Sequence, residues 1–576
     1  MQASSRILCK KSSDRVKRQL VEAMMYEGLI DYKEVQKGVF HLFGKERTYW
    51  CKGKRGAFDR IRLEEASICQ LLSNDQFNEV TIDELLSECS IDEQSHKRVS
   101  HELSQTIKLC EWNEKYLSIP LSRRNSNFEE LESEIGEGHL YHPCYKSRTG
   151  FTLEDHEAYG PEGKQSFTLF WTAVKRQNVN VSLLEDEQEF WKREFGEDMW
   201  QDMNLQLMQS GATFEEYTFL PIHPWQWQSI YHQLSALITT GDLLLMSCKG
   251  DRYRATQSVR TLWNQTDSDK AYIKLSMNMV NTSSLRTLSS PSLCSAPFIS
   301  AWLEKVIQSD PYLSQDVSLV ILKEYAGISF EAKEKPELTG QLGAIWRESI
   351  RTYMKEGEEA VPFTALMAIE KDGHLFIDKW LSQYGIETWV ERLVEVSVVP
   401  VWHLLVAHGI AVEAHAQNMI LLHRNGWPTR VVLRDFHESI EYTREFVKEP
   451  HLIPDFEKIH SEYHQAPIDK YYWMSSIEAL RELVMDTLFV FHLSELSYVI
   501  EQKRGYNEKL FWNQVSAAIS NHLEKYPKLQ DRHEKIKYSK PEIAVESLFT
   551  KKVQSSRKEY RHFVKNFFNQ LNQEEE

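Results

Sequence analysis

Apolar residues recur at helical spacing from about Ser13 to Glu27, with Val16, Leu20, Ala23 and Met24 on one face, and predict an amphipathic helix. Strand-like stretches follow around Gly38–Phe43 and Thr48–Lys52, and from Asp59 to Trp112 the pattern reads as mainly helical, broken by polar turns such as Ser73-Asn74-Asp75. An acidic stretch, Asn127–Glu137, ends in Gly136-Glu137-Gly138, which reads as a hinge. Two-residue alternation at Gln257–Trp263 and Ala271–Asn278 predicts strands, while Ser295–Gln308 and Trp380–His408 read as helices, the second kinked at Pro400. Met419–His423 and Arg430–Phe436 are apolar strands around the turn signal Asn425-Gly426, and helices dominate from Ser476 to an acidic tail at Glu574–Glu576. The fold expectation is α+β in three lobes: 1–150, 151–370 and 371–576.

A chain of 576 residues exceeds what one growing core supports, which is why several lobes are expected. Its net charge of −16 repels phosphate backbones and anionic lipid, so neither a nucleic-acid nor a membrane partner is expected, and any anionic substrate needs a local basic pocket. The eight cysteines form no CxxC pair, which argues against a zinc site or a disulfide scaffold. With no apolar stretch of about 18 residues and no signal-type N-terminus, a cytoplasmic location is expected.

Three segments concentrate chemistry. Gly138-His-Leu-Tyr-His-Pro-Cys-Tyr-Lys-Ser-Arg-Thr-Gly150 places histidines, a lysine and an arginine between glycines, either a loop able to meet an anion or a solvated surface loop. In Gln257–Trp263 the alternation sends Ser258 and Arg260 to one face; in Tyr272–Asn278 it groups Lys274, Ser276 and Asn278 against Ile273, Leu275 and Met277. Two such strands either present Arg260 and Lys274 on one basic surface or are an ordinary sheet with a wet side. The loop that follows, Asn281-Thr-Ser-Ser-Leu-Arg286, offers hydroxyls and a guanidinium to complete an anion cradle.

The third segment runs from His408 through Leu422 and on to Val431-Val-Leu-Arg-Asp-Phe-His437. A hairpin loop between His423 and Arg430 sets Asn418 opposite Asp435, an amide oxygen and a carboxylate suited to Mg²⁺, which takes few protein ligands. His415 and Gln417 also fit as hydrogen-bonded core residues. His223 in Pro221–Trp227 reads first as part of an aromatic packing corner, Arg347 beside Glu348 as an ion pair or a pocket residue, and Lys551 through Lys565 as a solvated helix face.

Together GHLYHPCYKSRTGF (138–151), YGPE (159–162), PIHPWQW (221–227), SVRT (258–261), YIKLSMNMVNTSSLRTL (272–288), IWRES (345–349), HGIAVEAHAQNMIL (408–421) and LRDFHE (433–438) resemble the IucA/IucC family of siderophore synthetases that work without nonribosomal assembly lines. The likeness is to members that build petrobactin-type and staphyloferrin-type citrate siderophores. It implies a cupped hand of thumb, fingers and palm around an ATP cleft, and activation of a carboxylate of citrate or a citrate monoamide as an adenylate that an amine then attacks. By the same resemblance His142, Ser258, Arg260, Thr261, Lys274, Thr282 and Arg286 would bind nucleotide, and Arg286, His415, Arg347 and Lys551 would bind substrate. Arg260, Lys274 and His415 would act in catalysis, Asn418 and Asp435 would hold Mg²⁺, and a homodimer is admitted. Leu140 and Arg434 replace a proline and a lysine common in the family. A small-molecule kinase would use the same Mg²⁺ and basic cradle, and a helical interaction protein would use neither.

Overall fold

The computed structural model describes residues 2–73, 76–118, 120–554 and 560–575, with side chains from residue 11 onward except 572, 574 and 575. The Asn74-Asp75 turn, Glu576, the side chains of Glu574 and Glu575, and 555–559 of the basic stretch lie outside that description.

The N-terminal helix Gln2–Tyr26 buries Val16, Leu20, Ala23 and Met24, the face its spacing predicts. Beside it lies a six-stranded antiparallel sheet that includes Val39–Phe43 and Thr48–Arg55. Residues Ile61–Leu63, Cys69–Leu71 and Phe77–Glu79 also belong to it, so the helical reading of 59–112 holds only from Ile82. Those strands are three residues each, too short for two-residue alternation to stand out against helical spacing.

One hydrophobic core draws on residues from Val16 to Tyr145 and again from Ile299 to Leu571. Polar contacts tie the same distant segments: Glu27 accepts from the Phe549 and Thr550 amides at 3.0 and 2.6 Å, and Arg60 meets Glu495 at 2.7 Å. A second core, from Leu169 to Trp346, lies under one face of a seven-stranded antiparallel sheet. The central strands of that sheet are Thr261–Asn264, Tyr272–Leu275, Gly343–Arg347 and Glu324–Phe330. Leu262, Ile273, Leu275 and Trp346 point into the second core, which leaves Thr261, Tyr272, Lys274 and Arg347 on the other face. The helix Ser290–Ser309 crosses close to the sheet at Gly327, where an added Cβ would overlap the Leu293 carbonyl.

A four-stranded sheet holds the hairpin Met419–Arg424 and Trp427–Leu433. Its loop is the two residues Asn425 and Gly426, both at positive φ (51° and 85°), the geometry that suits the right-handed twist of the strands. The helix Ile386–His403 contains Pro400 and passes into a π-helical turn, Leu404–His408; Trp380 belongs to a separate helix that ends before Gly385. The run Ile477–Arg504 is long and apolar enough to cross a membrane by length and composition, but 67% of its most apolar window is buried inside the protein.

Candidate active site

Lys274 lies opposite Thr261 on one neighbouring strand and Ile345 on the other, and Tyr272 lies opposite Arg347. This register lifts the ammonium of Lys274 and the guanidinium of Arg347 from one sheet face. Both converge on a single oxygen, Asp435 Oδ1, at 3.5 and 2.7 Å. Asp435 is held there by a left-handed backbone conformation (φ 64°) directly after the hairpin strand, unusual for a residue with a side chain. Burial pushes its carboxyl up, but Lys274, Arg347 and Arg434 outweigh that and hold it well below the usual carboxylate range. Burial also lowers Lys274, against the pull of Asp435.

Ser258 and Arg260 are not on a strand. Residues 257–260 form a turn with Val259 at φ 66°, the strand starts at Thr261, and the Ser258 hydroxyl accepts from the Thr261 amide at 3.0 Å and donates to its hydroxyl at 2.7 Å. The alternation misleads because Val259 packs with Phe151, Trp225, Met277 and Met279 as a strand residue would, although a turn delivers it. Arg260 still reaches the cationic surface, where it donates to the Arg286 and Thr287 carbonyls at 3.1 and 2.6 Å. Arg286 donates to the Asn281 carbonyl at 2.7 Å, and burial together with Arg260 pushes it down to about 9. A guanidinium still carries its charge at neutral pH, so the lowering reports a cationic site short of counter-charge.

Thr282 sits at φ 61° in the loop before Arg286, and its carbonyl accepts from Lys552 Nζ at 2.5 Å. The buried Lys552 also pairs with Glu102, whereas Lys551 lies on the exposed side of the same short helix and pairs with Glu546 at 2.9 Å. Lys552 therefore reaches the Thr282 loop, whereas Lys551, the residue the resemblance assigned to substrate, is the exposed one. His142 is fully buried; its Nδ1 accepts from the Cys144 amide at 3.1 Å and its Nε2 has no partner. Burial and the nearby charges of Lys552, His139 and Arg286 lower it well below the ordinary histidine range, leaving a neutral ring with one uncommitted nitrogen at neutral pH.

The hairpin register is one residue out of step with the expected one. Met419 pairs with Leu433, a bulge follows at Leu422–His423, and the Arg434 amide donates to the Asn418 carbonyl at 3.0 Å. Asn418 thus neighbours Arg434, and the turn after Leu433 swings Asp435 to the cations; the bulge and the shorter loop account for the slip. The Asn418 side-chain amide donates to the Glu413 carbonyl at 3.0 Å. The chain bends at 415–418, where the Asn418 amide donates to the His415 carbonyl at 2.9 Å. His415, part-exposed, keeps Nε2 3.7 Å from Glu413, and its Nδ1 accepts from the Gln417 amide at 3.2 Å.

Sequence reasoning missed several supports. Glu324, fully buried, accepts from the Phe436 and His437 amides at 3.1 and 2.9 Å and meets His437 Nδ1 at 2.8 Å, fixing the segment that carries Asp435. Glu132 binds Arg434 through both oxygens, at 3.1 and 2.8 Å. Only the clustering of charge in 433–438 hinted at these partners. For Mg²⁺ the donor types suit a hard cation: Asp435 offers a carboxylate whose Oδ1 Lys274 and Arg347 share, and Asn418, whose backbone carbonyl accepts from the Arg434 amide, has a side-chain oxygen to offer.

The chain belongs to the IucA / IucC family, whose model matches residues 127–368. A second model, ferric iron reductase FhuF-like transporter, matches residues 387–574. Among particular relatives, the citryl-spermidine/3,4-dihydroxybenzoyl-citryl-spermidine:spermidine ligase of Bacillus anthracis is 38% identical over 549 residues, 93% of this chain and 89% of that one. The crystal structure of petrobactin biosynthesis protein AsbB from Bacillus anthracis superposes with TM-score 0.93 at 36% identity, covering 99% of this chain and 98% of that chain. ATP-bound aerobactin synthetase IucA of Klebsiella pneumoniae shares the fold, with TM-score 0.74 at 15% identity over 97% of this chain and 99% of that chain.

Proposed function

We propose that this chain is an ATP-dependent ligase of siderophore assembly that joins a carboxylate of citrate, or of a citrate monoamide, to an amine. The observation that carries the reading is the convergence of Lys274 and Arg347 on Asp435, with Arg260 and Arg286 beside them, in a protein 38% identical to a citryl-spermidine ligase. A carboxylate oxygen attacks the α-phosphorus of ATP and the bond to pyrophosphate breaks; the amine nitrogen then attacks the acyl carbon and AMP leaves. Both steps build negative charge on oxygen, and Arg260, Lys274 and Arg286 supply fixed positive charge against it in a largely buried setting.

Ser258, Thr261, Thr282 and the uncommitted His142 Nε2 are assigned to the nucleotide, and His415, with Arg286 and Arg347, to the carboxylate substrate. Lys552 takes the place of Lys551 in this reading. When bound, Mg²⁺ would neutralise phosphate charge, with Asn418 and Asp435 as its protein ligands. The thumb, fingers and palm lobes and a cytoplasmic location belong to the same reading, since the reaction consumes ATP held in a cleft between lobes.

Incubation with ATP, Mg²⁺, citrate and a panel of polyamines and diamino acids tests this. AMP and pyrophosphate should form only when the carboxylate is present, and an amide should follow when the right amine is added; ADP as the product would replace the ligase with a kinase.

A further inference from the structure

A second cluster of functional side chains lies away from the cationic surface, and the reaction makes no use of it. Asp310 follows the helix Ser290–Ser309, His403 ends the helix Ile386–His403, and His408 ends the π-helical turn after it. All three are buried. Asp310 Oδ1 accepts from the Leu313 amide at 3.2 Å, which fixes the carboxylate and leaves Oδ2 to face the histidines. His403 Nε2 and His408 Nε2 approach that oxygen at 3.1 and 2.9 Å, and the three donor atoms all lie within 4.8 Å of one another.

The π turn is what brings the histidines together: widening the helix by one residue per turn puts positions five apart on one side, where an α-helix would do so for positions four apart. His403 Nδ1 lies 2.8 Å from Nε2 of His522, itself buried on the helix Glu508–Lys525. With a metal on His403 Nε2, Nδ1 keeps the ring proton and donates it to His522, the outer-shell hydrogen bond that orients a ligating imidazole.

We propose that Asp310, His403 and His408 bind one divalent transition-metal ion, with His522 as the partner that orients His403. Two neutral imidazoles and one carboxylate on one side of an ion suit borderline cations such as Zn²⁺ or Fe²⁺. Bonds of about 2.0–2.1 Å to such an ion place tetrahedral ligand atoms roughly 3.3 Å apart, close to the 3.1 and 2.9 Å spacings from Asp310 Oδ2 to the two imidazoles, and the imidazole nitrogens lie within 4.8 Å of each other. The competing arrangement, two N–H groups donating to Asp310 with no ion, uses the same atoms. His408 Nδ1 has no partner in either case and does not separate them. An ion here would pin the ends of two helices beside the strand Ile410–Val412, which leads into the Glu413–Asn418 bend.

The test is a titration of the chelator-stripped, full-length protein with Co²⁺, read by its ligand-field absorption and followed by displacement with Zn²⁺ or, anaerobically, Fe²⁺. One equivalent should bind. Asp310→Asn, which keeps the side-chain shape and a hydrogen-bond acceptor, should abolish the signal, as should His408→Ala if it folds. His522→Ala should weaken binding by about 10–100-fold. Absence of a one-equivalent Co²⁺ spectrum, or its persistence in folded Asp310→Asn, would overturn the proposal and leave a hydrogen-bonded triad.

Discussion

Lys274 and Arg347 share one oxygen of Asp435, so the three residues cannot be changed independently. Arg260→Ala and Lys274→Ala each remove charge that opposes the developing oxyanion and should slow pyrophosphate release on the order of 10²-fold, with the melting curve checked in parallel. Near-normal release would reduce the pair to the polar side of a sheet. Asp435→Ala would strand two buried cations, a change that costs about 3–5 kcal/mol when a buried pair is broken, so Asp435→Asn is the informative variant. It should stay folded and need more Mg²⁺ for half-maximal turnover. His415→Ala should raise the carboxylate KM while leaving ATP affinity nearly constant; equal losses for both substrates would move His415 to the nucleotide. Lys274 was legible in the sequence because charged groups flank apolar ones in a two-residue period; Arg260 was placed on a strand that begins one residue later, and Asp435 through a hairpin register one residue out of step. Glu324 and Glu132 were not legible, because a buried acid has no meaning until the fold shows what it neutralises.

At the scale of elements, the hairpin Met419–Leu433 carries Asn418 at one end and leads into Asp435 at the other, so its turn sets both. Gly426 is at φ 85° and an added Cβ would overlap the Trp380 ring; Gly426→Ala should therefore lower the thermal midpoint and reduce turnover together. The strand Ile440–Tyr442 gives a pH signature. Burial, reinforced by Glu413, Asp469 and Glu482 and opposed by Arg561, pushes Glu441 up to about 7. A carboxyl raised in the folded state contributes stability that is fully present below its unfolded value and is lost as pH rises through 7. Glu441→Gln should accordingly gain stability relative to the parent at pH 8 and not at pH 4, as read by melting temperature at the two pH values; an equal offset at both would remove the effect. Sequence pattern located this hairpin and its Asn-Gly turn, but a bulge at Leu422–His423 is invisible to two-residue alternation, and one bulge moves the register by one.

Across the whole molecule, the short helix Leu548–Val553 reaches the Thr282 loop through Lys552, and Glu27, directly after the N-terminal helix, caps that short helix. The two ends of the chain therefore brace a loop that belongs to the cationic site. Lys552→Ala leaves buried Glu102 without its cation and frees the loop, so it should cost both stability and turnover, whereas Lys551→Ala, at an exposed pair, should stay within about 0.5 kcal/mol of the parent. Matching losses in the two variants would contradict this placement. The resemblance pointed to Lys551, whereas Lys552 is the lysine turned inward, since a single step around a helix of six residues separates a buried position from an exposed one. The long-range sharing of one core between residues near both termini was equally hidden, because periodicity reports each element's apolar face and not its partner.

In the proposed reaction a substrate carboxylate attacks the α-phosphorus of ATP on the surface built by Arg260, Lys274 and Arg286. Turnover with citrate labelled with ¹⁸O in its carboxylates, followed by mass spectrometry of the nucleotide and phosphate products, tests it most directly. Each AMP formed during amide synthesis should carry one ¹⁸O, and pyrophosphate should carry none. Unlabelled AMP, or label appearing in orthophosphate alongside ADP, would contradict it.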